Sequence, residues 1–199
     1  MISKGTRTFI FVKVRVPFDC NECPGRETIE GMRDANRGAE LERVLLAHAP
    51  ALGRLAASYE SRPALREELL QDIAFALWRA LPSFRHEASE KTFVMRIATN
   101  RALSHIAARP PAADGLDAAG DIADTLPRPD ELAARMQTAA RLQRAVRELP
   151  LALRQVMVLA FEGLANDDIA AVLGLSAGNV GVRLHRGKAL LKATLGETT

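Results

Sequence analysis

The sequence predicts an all-α protein made of two small helical domains joined by a flexible linker. Only 5% of its 199 residues are aromatic, whereas 48% are apolar. Most of these apolar residues are alanine, leucine and valine interleaved with arginine and glutamate, a composition that favours helices over strands. Apolar side chains recur at helical spacing in two blocks, and each block is long enough to bury a core.

The chain divides into four predicted segments. Residues 1–38 form an N-terminal extension without helical periodicity, which is either disordered or an artefact of the assigned start site. Residues 39–109 form the first helical domain, and two consecutive prolines end it. Residues 110–131 form an acidic linker rich in proline, glycine, alanine and aspartate. Residues 132–199 form the second helical domain.

Net charge and hydropathy limit the classes of protein to which this chain can belong. The formal net charge is +3 and the pI is about 9.2, which permits nucleic-acid binding without requiring it. Charges run basic, acidic, basic along the chain, with the acidic part in the linker. No apolar run approaches the roughly 20 residues that a membrane span needs, and no segment resembles a signal sequence. We therefore expect a cytoplasmic protein without membrane insertion.

The two cysteines, Cys20 and Cys23, form a single CxxC pair. A structural zinc site needs four ligands, and neither a second pair nor a histidine cluster supplies the other two. We expect no metal and no other cofactor, and inert thiols are the preferred interpretation. Redox sensing, or a metal shared with another chain, remains the alternative.

The first domain contains a helix that follows a break at Arg62-Pro63 and ends near Leu81-Pro82. Its predicted core stripe is Leu70, Ile73, Leu77 and Leu81. The opposite face carries Glu68, Gln71, Asp72, Phe75 and Trp78. Exposed aromatic rings beside carboxylates are typical of a protein interface. The alternative is that another helix of the domain covers Phe75 and Trp78.

The next helix of the first domain also has two distinct faces. Its predicted inward residues are Phe93, Val94 and Ile97. Its predicted outward residues are Lys91, Arg96, Asn100, Arg101 and Ser104. The outward set combines cations with an amide and a hydroxyl. For Asn100, the structural alternative is an amide that caps a helix or bridges two helices.

The second domain carries the local signals of a helix-turn-helix. Either Ala165 or Asn166 begins the first helix, and two aspartates follow in its first turn, where the helix dipole favours carboxylates. Gly174 ends that helix, and Ser176 is a good N-cap for the next one. Two short helices joined by such a glycine-containing turn form a helix-turn-helix.

The second helix of this motif is predicted to read DNA. Val180, Leu184 and Leu191 share its inward face. Its outward residues are Gly178, Asn179, Val182, Arg183 and Arg186. Arginine pairs with guanine or phosphate, and asparagine pairs with adenine. The alternative is that these arginines only solvate a surface helix.

Three segments carry a resemblance to bacterial sigma factors of the extracytoplasmic-function group. Region 4 of that family resembles the segment LPLALRQVMVLAFEGLANDDIAAVLGLSAGNVGVRLHRGKALL. Region 2.2 is similar to EELLQDIAFALWRALPSFR, and regions 2.3 and 2.4 are similar to EKTFVMRIATNRALSHIAARP. The segments follow the family's order and are separated by a linker of suitable length. The resemblance covers roughly residues 41–195.

The resemblance implies three sets of site residues and no catalytic site. Glu68, Gln71, Asp72, Phe75 and Trp78 would bind the clamp helices of RNA polymerase core. Lys91, Arg96, Asn100, Arg101 and Ser104 would open the −10 element and hold an unstacked base, with Asn100 foremost. Gly178, Asn179, Val182, Arg183 and Arg186 would read the −35 element. Implied partners are the clamp helices and flap of the large polymerase subunits, promoter DNA and an anti-sigma factor.

Other classes of protein remain as alternatives. A stand-alone helix-turn-helix regulator would bind duplex operator DNA without polymerase. A protein-interaction module without promoter activity would use the aromatic face but not the arginines. An enzyme is disfavoured because His48, His86, His105 and His185 lie far apart and belong to no catalytic or phosphate-binding motif. We expect these histidines at the surface or between helices.

Overall fold

A computed structural model of the chain describes the backbone of residues 27–108 and 130–196 and the side chains of 36–108 and 136–196. These ranges are almost entirely helical and contain no strand, which confirms the predicted all-α class. Their elements, in chain order, are α1 (Glu27–Tyr59), α2 (Pro63–Ala80), the 3-10 turn η1 (Leu81–Ser83), α3 (Glu90–Ala107), α4 (Asp130–Glu148), α5 (Leu151–Phe161), α6 (Asn166–Leu173) and α7 (Ala177–Gly196). The cysteine pair and nearly all of the predicted linker lie outside the described residues.

Helix α1 begins at Glu27, inside the segment predicted as an N-terminal extension. The predicted division at residue 39 therefore falls within a continuous helix. This helix packs against both α2 and α3. Its residues Val44, Leu55 and Ala56 are fully buried, so α1 is an integral part of the first domain.

Helix α2 begins where the sequence predicts a break. Pro63 is its first residue, a position where the missing N–H of proline costs no hydrogen bond. The fully buried stripe is Leu69, Ile73 and Leu77. The predicted stripe began one residue later, at Leu70, which is only partly buried at the edge of the core. The shift arises because α2 packs against two helices, and periodicity within α2 alone does not show where they lie.

A buried carboxylate links the turn between α1 and α2 to α3. Glu60 is almost completely buried, and its Oε1 accepts a hydrogen bond from the Arg62 backbone N–H at 2.9 Å. Its Oε2 lies 3.3 Å from Nε2 of His105 on α3. His48 of α1 similarly lies 3.0 Å from Glu90 at the start of α3. These two histidines therefore occupy the interhelical positions that the sequence analysis expected.

The second domain contains the predicted helix-turn-helix. Helix α6 follows Ala165, whose side chain makes no capping hydrogen bond. Gly174 ends α6 in the left-handed conformation, with φ +66°, which glycine adopts without steric strain. The Ser176 hydroxyl then accepts a hydrogen bond from the Asn179 backbone N–H at 3.3 Å and caps α7. Local sequence signals were sufficient here because each turn interaction spans only a few residues.

The two helical domains also pack against each other. Helix α1 contacts α4 and α5, and α3 contacts α6. Buried apolar side chains from both domains form one connected core. The prediction of two domains joined by a linker did not include this packing. No helix in the described ranges is both long and apolar enough to cross a membrane.

Helices α5 and α7 approach closely at a buried glycine. An ideal Cβ added to Gly187 would lie 2.7 Å from Cγ and 2.9 Å from Sδ of Met157. Met157 is itself almost fully buried, so it has little room to move. A Cβ added to Gly181 on the same helix would meet nothing within 4 Å.

We predict opposite effects of alanine at these two glycines. Gly181→Ala should raise the free energy of unfolding by up to about 1 kcal/mol through helix propensity. Gly187→Ala gains the same propensity, but overpacking costs about 1–3 kcal/mol, so its net effect should be destabilising. Urea unfolding followed by circular dichroism measures both. Equal stabilisation by the two substitutions would contradict the close packing of α5 and α7.

Candidate functional site

The outward side of α2 presents two aromatic rings next to polar side chains. Its residues, which we call the α2 aromatic face, are Glu68, Gln71, Asp72, Phe75 and Trp78. All are exposed except Trp78, which is half-buried, and the Phe75 side chain is 55% exposed. The two rings stack at 6.0 Å between centroids, with an interplanar angle of 23°. No helix within the described ranges covers Phe75, so the alternative of an internal aromatic pair holds only in part, at Trp78.

Two arginines lie over these rings. The guanidinium carbon of Arg37, from α1, is 5.3 Å from the centroid of the Trp78 ring. That of Arg79 is 5.9 Å from the centroid of the Phe75 ring. Both distances suit a cation–π interaction. Arg37 was not predicted as part of this face, because it lies in the segment assigned to the N-terminal extension and its partner ring is on another helix.

Three of the predicted outward residues of α3 form one line. Arg96, Asn100 and Ser104 are exposed at a spacing of four residues, and we call them the α3 polar stripe. The Ser104 hydroxyl donates to the Asn100 carbonyl oxygen at 3.0 Å. No described residue hydrogen-bonds to the Asn100 side-chain amide, so the structure gives no support to a capping or bridging role.

The opposite side of α3 is buried as predicted. Phe93 and Val94 belong to the core, and Ile97 packs partly against it. The burial of this face directs the stripe outward, because a helix turns 100° per residue.

Lys91 and Arg101 do not join the stripe. By helical geometry, Lys91 lies on the opposite side of α3, and its Nζ would be 3.8 Å from a Cβ added to Gly163 of the second domain. Arg101 is partly buried, and its Nε has no hydrogen-bond partner among the described residues. The structure therefore brings together three of the five residues predicted for this site.

A cleft lies at the amino-terminal end of α3. Its volume is about 290 Å³, and α6 supplies one of its walls through Ala171 and Val172. The lining also includes Phe84, whose ring centroid is 4.6 Å from that of Phe93. Arg96 of the α3 polar stripe also lines the cleft. The cleft has no signal in the sequence, because its walls come from separate domains.

The amino-terminal half of α7 presents the residues predicted to read DNA. We call Gly178, Asn179, Val182, Arg183 and Arg186 the α7 reading face. All are exposed except Arg183, which is half-buried. The inward residues Val180 and Leu191 belong to the core, as predicted.

A hydrogen bond joins two members of the α7 reading face. Nε of Arg183 donates to Oδ1 of Asn179 at 3.0 Å. Asn179 thereby restricts the position of the Arg183 guanidinium. The two terminal nitrogens of Arg183 do not take part in this bond. The sequence predicted guanine or phosphate as the contact of Arg183 and adenine as that of Asn179, and it did not predict the hydrogen bond between them.

Comparison with known proteins identifies both halves of the chain. The Sigma-70 region 2 model matches residues 44–109, and the Sigma-70 region 4 model matches residues 139–191. The chain is 32% identical to the RNA polymerase sigma-H factor of Pseudomonas aeruginosa over 139 residues, which are 65% of this chain and 72% of that protein. It is 28% identical to the RNA polymerase sigma factor CnrH of Cupriavidus metallidurans, over 77% of this chain and 85% of that one.

Solved structures show the same fold. The structure of CnrH in complex with the cytosolic domain of CnrY matches with a TM-score of 0.59 and 26% identity, over 80% of this chain and 89% of that one. RpoE of Bartonella quintana, in complex with the anti-sigma factor NepR, matches with a TM-score of 0.62 and 23% identity, over 79% and 97%.

Other relatives are named as extracytoplasmic-function sigma factors. The chain is 29% identical to the sigma-E factor of Escherichia coli, over 61% of this chain and 69% of that protein. The two matching regions, their order and these relatives agree with the helix-turn-helix of the second domain. The chain belongs to the RNA polymerase sigma factor family, within its extracytoplasmic-function group.

Proposed function

We propose that this sigma factor directs promoter-specific transcription initiation through three separate surfaces. The α2 aromatic face binds RNA polymerase core, the α3 polar stripe holds the opened −10 element, and the α7 reading face contacts the −35 element. The observation that carries this proposal is the exposure of Phe75 beside carboxylates on a helix whose other side is fully buried.

The α2 aromatic face has the chemistry of a binding hot spot. Phe75 and Trp78 offer apolar area that binding would remove from water, while the neighbouring carboxylates offer charge-assisted hydrogen bonds to a basic partner. We assign the clamp helices of the large polymerase subunits as that partner. Two arginines already lie over the rings. The aromatic pair is therefore partly ordered before the face binds core polymerase.

The α3 polar stripe suits a single strand. Arg96 supplies positive charge for the phosphate backbone, and the Asn100 amide supplies a donor and an acceptor for an unstacked base. Ser104 provides a shorter polar group at the end of the line. Because the stripe lies on a rigid helix anchored by the core, these groups are presented at fixed spacing.

The α7 reading face suits the major groove of duplex DNA. The terminal nitrogens of Arg183 match O6 and N7 of guanine, and the methyl groups of Val182 match the thymine methyl. Gly178 lets the amino-terminal end of the helix approach closely, where backbone N–H groups favour phosphate. Arg186 adds a further cation one turn along from Val182.

Further partners and the compartment follow from the family. We propose that the second domain also contacts the polymerase flap and that an anti-sigma factor binds this chain, as the solved relatives CnrH and RpoE are bound by CnrY and NepR. We place the protein in the cytoplasm, where bacterial polymerase works. A stand-alone operator-binding regulator would instead protect duplex DNA without polymerase.

The first prediction concerns core binding. The double substitution of Phe75→Ala and Trp78→Ala should weaken the affinity for core polymerase at least about tenfold, because hot-spot aromatics contribute about 2 kcal/mol or more. Fluorescence anisotropy of the labelled chain, titrated with core, measures this affinity. The matched control is Leu46→Ala, which removes a 60% exposed apolar side chain from α1 and should leave the affinity unchanged. Equal losses in both variants would contradict the assignment.

The second prediction concerns the −10 strand. Asn100→Ala should weaken binding of the core complex to a single-stranded non-template −10 oligonucleotide about tenfold, since contacts to one base contribute about 1–3 kcal/mol. Lys91→Ala should change this binding by less than about twofold, because surface changes away from a site have small effects. A larger loss from Lys91→Ala than from Asn100→Ala would place the strand on the other side of α3.

The third prediction concerns the hydrogen bond between Asn179 and Arg183. Arg183→Ala should weaken promoter binding about tenfold and remove the preference at one base pair, because a bidentate contact to guanine is worth about 1–3 kcal/mol. Asn179→Ala should relax the preference at that same base pair, since it releases the guanidinium. Binding of −35 variants by the polymerase complex measures both, with the exposed His185→Ala as control. Relaxation at two different base pairs would show that Asn179 reads DNA independently.

A further inference from the structure

Two cations and two aromatic rings form a continuous array between α1 and α2. The guanidinium carbon of Arg37 lies 5.3 Å from the centroid of the Trp78 ring. The Trp78 ring stacks on that of Phe75, with 6.0 Å between centroids, and Arg79 lies over Phe75 at 5.9 Å. Each distance falls within the range of a cation–π or aromatic contact. We call Arg37, Trp78, Phe75 and Arg79 the cation–ring array.

Arg37 is the member of the array that comes from another helix. The other three members are close neighbours on α2, whereas Arg37 belongs to α1. Leu41 and Val44 lie four and seven residues after Arg37 and therefore share its face of α1. Val44 is fully buried and Leu41 packs against the core. Burial of this stripe directs Arg37 toward the rest of the first domain, where it contacts Trp78.

The burial of Arg37 differs from that of its neighbours. Within residues 36–40, Arg37 is half-buried, whereas the other four residues are exposed. The Trp78 side chain is also half-buried, while that of Phe75 is 55% exposed. Because the Arg37 guanidinium lies over the indole ring, the two side chains shield each other from water.

Such a contact can increase affinity for a partner without touching it. A tryptophan on the outward side of a helix loses rotamer freedom when a partner binds its ring, and this loss opposes binding. A cation that holds the ring in one orientation beforehand reduces that loss. The aliphatic stem of Arg37 adds apolar contact to the attraction between its charge and the ring.

We propose that Arg37 is a positioning residue of the core-binding surface, which holds the Trp78 ring stacked on Phe75 before core polymerase binds. This inference rests on the proposed function, in which the α2 aromatic face binds core. It assigns a role in core binding to a residue of the segment that was predicted to be an N-terminal extension.

The first test observes the ring in the free, full-length chain. Trp78 is the only tryptophan in the sequence, so intrinsic fluorescence reports on this ring alone. Arg37→Met removes the charge but keeps an unbranched side chain with good helix propensity. Quenching by acrylamide should increase and the emission maximum should move to longer wavelength, because the ring loses its cover. Acrylamide is uncharged, so its access does not depend on the charge that the substitution removes.

The second test measures affinity for core polymerase with a dye-labelled chain. Arg37→Met should weaken binding about three- to tenfold, the range expected for losing one cation–π contact. Arg37→Lys should weaken it less, because the ammonium keeps the cation although it lacks the planar guanidinium. In a Trp78→Ala background, Arg37→Met should change the affinity by less than about twofold, since the ring through which it acts is absent.

The matched control is Arg43→Met. It removes the same charge from the same helix, but Arg43 pairs with Glu40 and Glu90 and is not part of the array. Both the quenching of Trp78 and the affinity for core should stay unchanged. Circular dichroism checks that each variant keeps its helicity, and Arg37→Gln is the second uncharged variant if Arg37→Met does not.

The outcomes separate this inference from the proposed function. Unchanged quenching in Arg37→Met, or equal losses of core affinity in Arg37→Met and Arg37→Lys, would overturn the role of the cation. A loss that persists in the Trp78→Ala background would show that Arg37 acts independently of the ring, which would overturn its positioning role. Equal losses in Arg43→Met would reduce the effect to net charge. Unchanged core affinity after substitution of both Phe75 and Trp78 would instead refute the proposed binding face.

Discussion

Burial of one apolar stripe on each helix determines what the protein presents to its partners. On α2, the fully buried residues are Leu69, Ile73 and Leu77. Because a helix turns 100° per residue, this burial directs Phe75 to solvent. On α7, burial of Val180 orients the arginines in the same way. The surfaces that we propose as binding sites are thus a geometric consequence of core packing.

The contact between the two domains differs in chemistry from the packing within each domain. Within each domain the helices are joined chiefly by apolar burial, but the hydrogen-bonded link through Arg54 and Glu162 is polar and partly accessible to water. Because the Glu162 carboxylate is almost fully buried, salt screens this contact less than it would screen an ion pair at the surface.

The sequence predicted best those structural features that are formed by residues close together in the chain. The turn at Gly174 and the cap at Ser176 depend on neighbouring residues, so the helix-turn-helix was predictable. Ile73 and Leu77 of the predicted α2 stripe are fully buried, but its first member was one residue off. Two adjacent leucines both satisfy helical spacing, and only the packed neighbours select Leu69. The pair of Arg54 and Glu162, separated by 108 positions, has no local signal, and neither does the placement of Arg37 over Trp78.

Run-off transcription tests most directly whether this chain directs polymerase to specific promoters. The reaction uses purified bacterial core polymerase and a pool of templates with randomised upstream sequence. With the chain present, we expect discrete transcripts from templates that share two separate upstream motifs, and none of these transcripts from core alone. The same transcripts with and without the chain would contradict its role as a promoter-specificity factor.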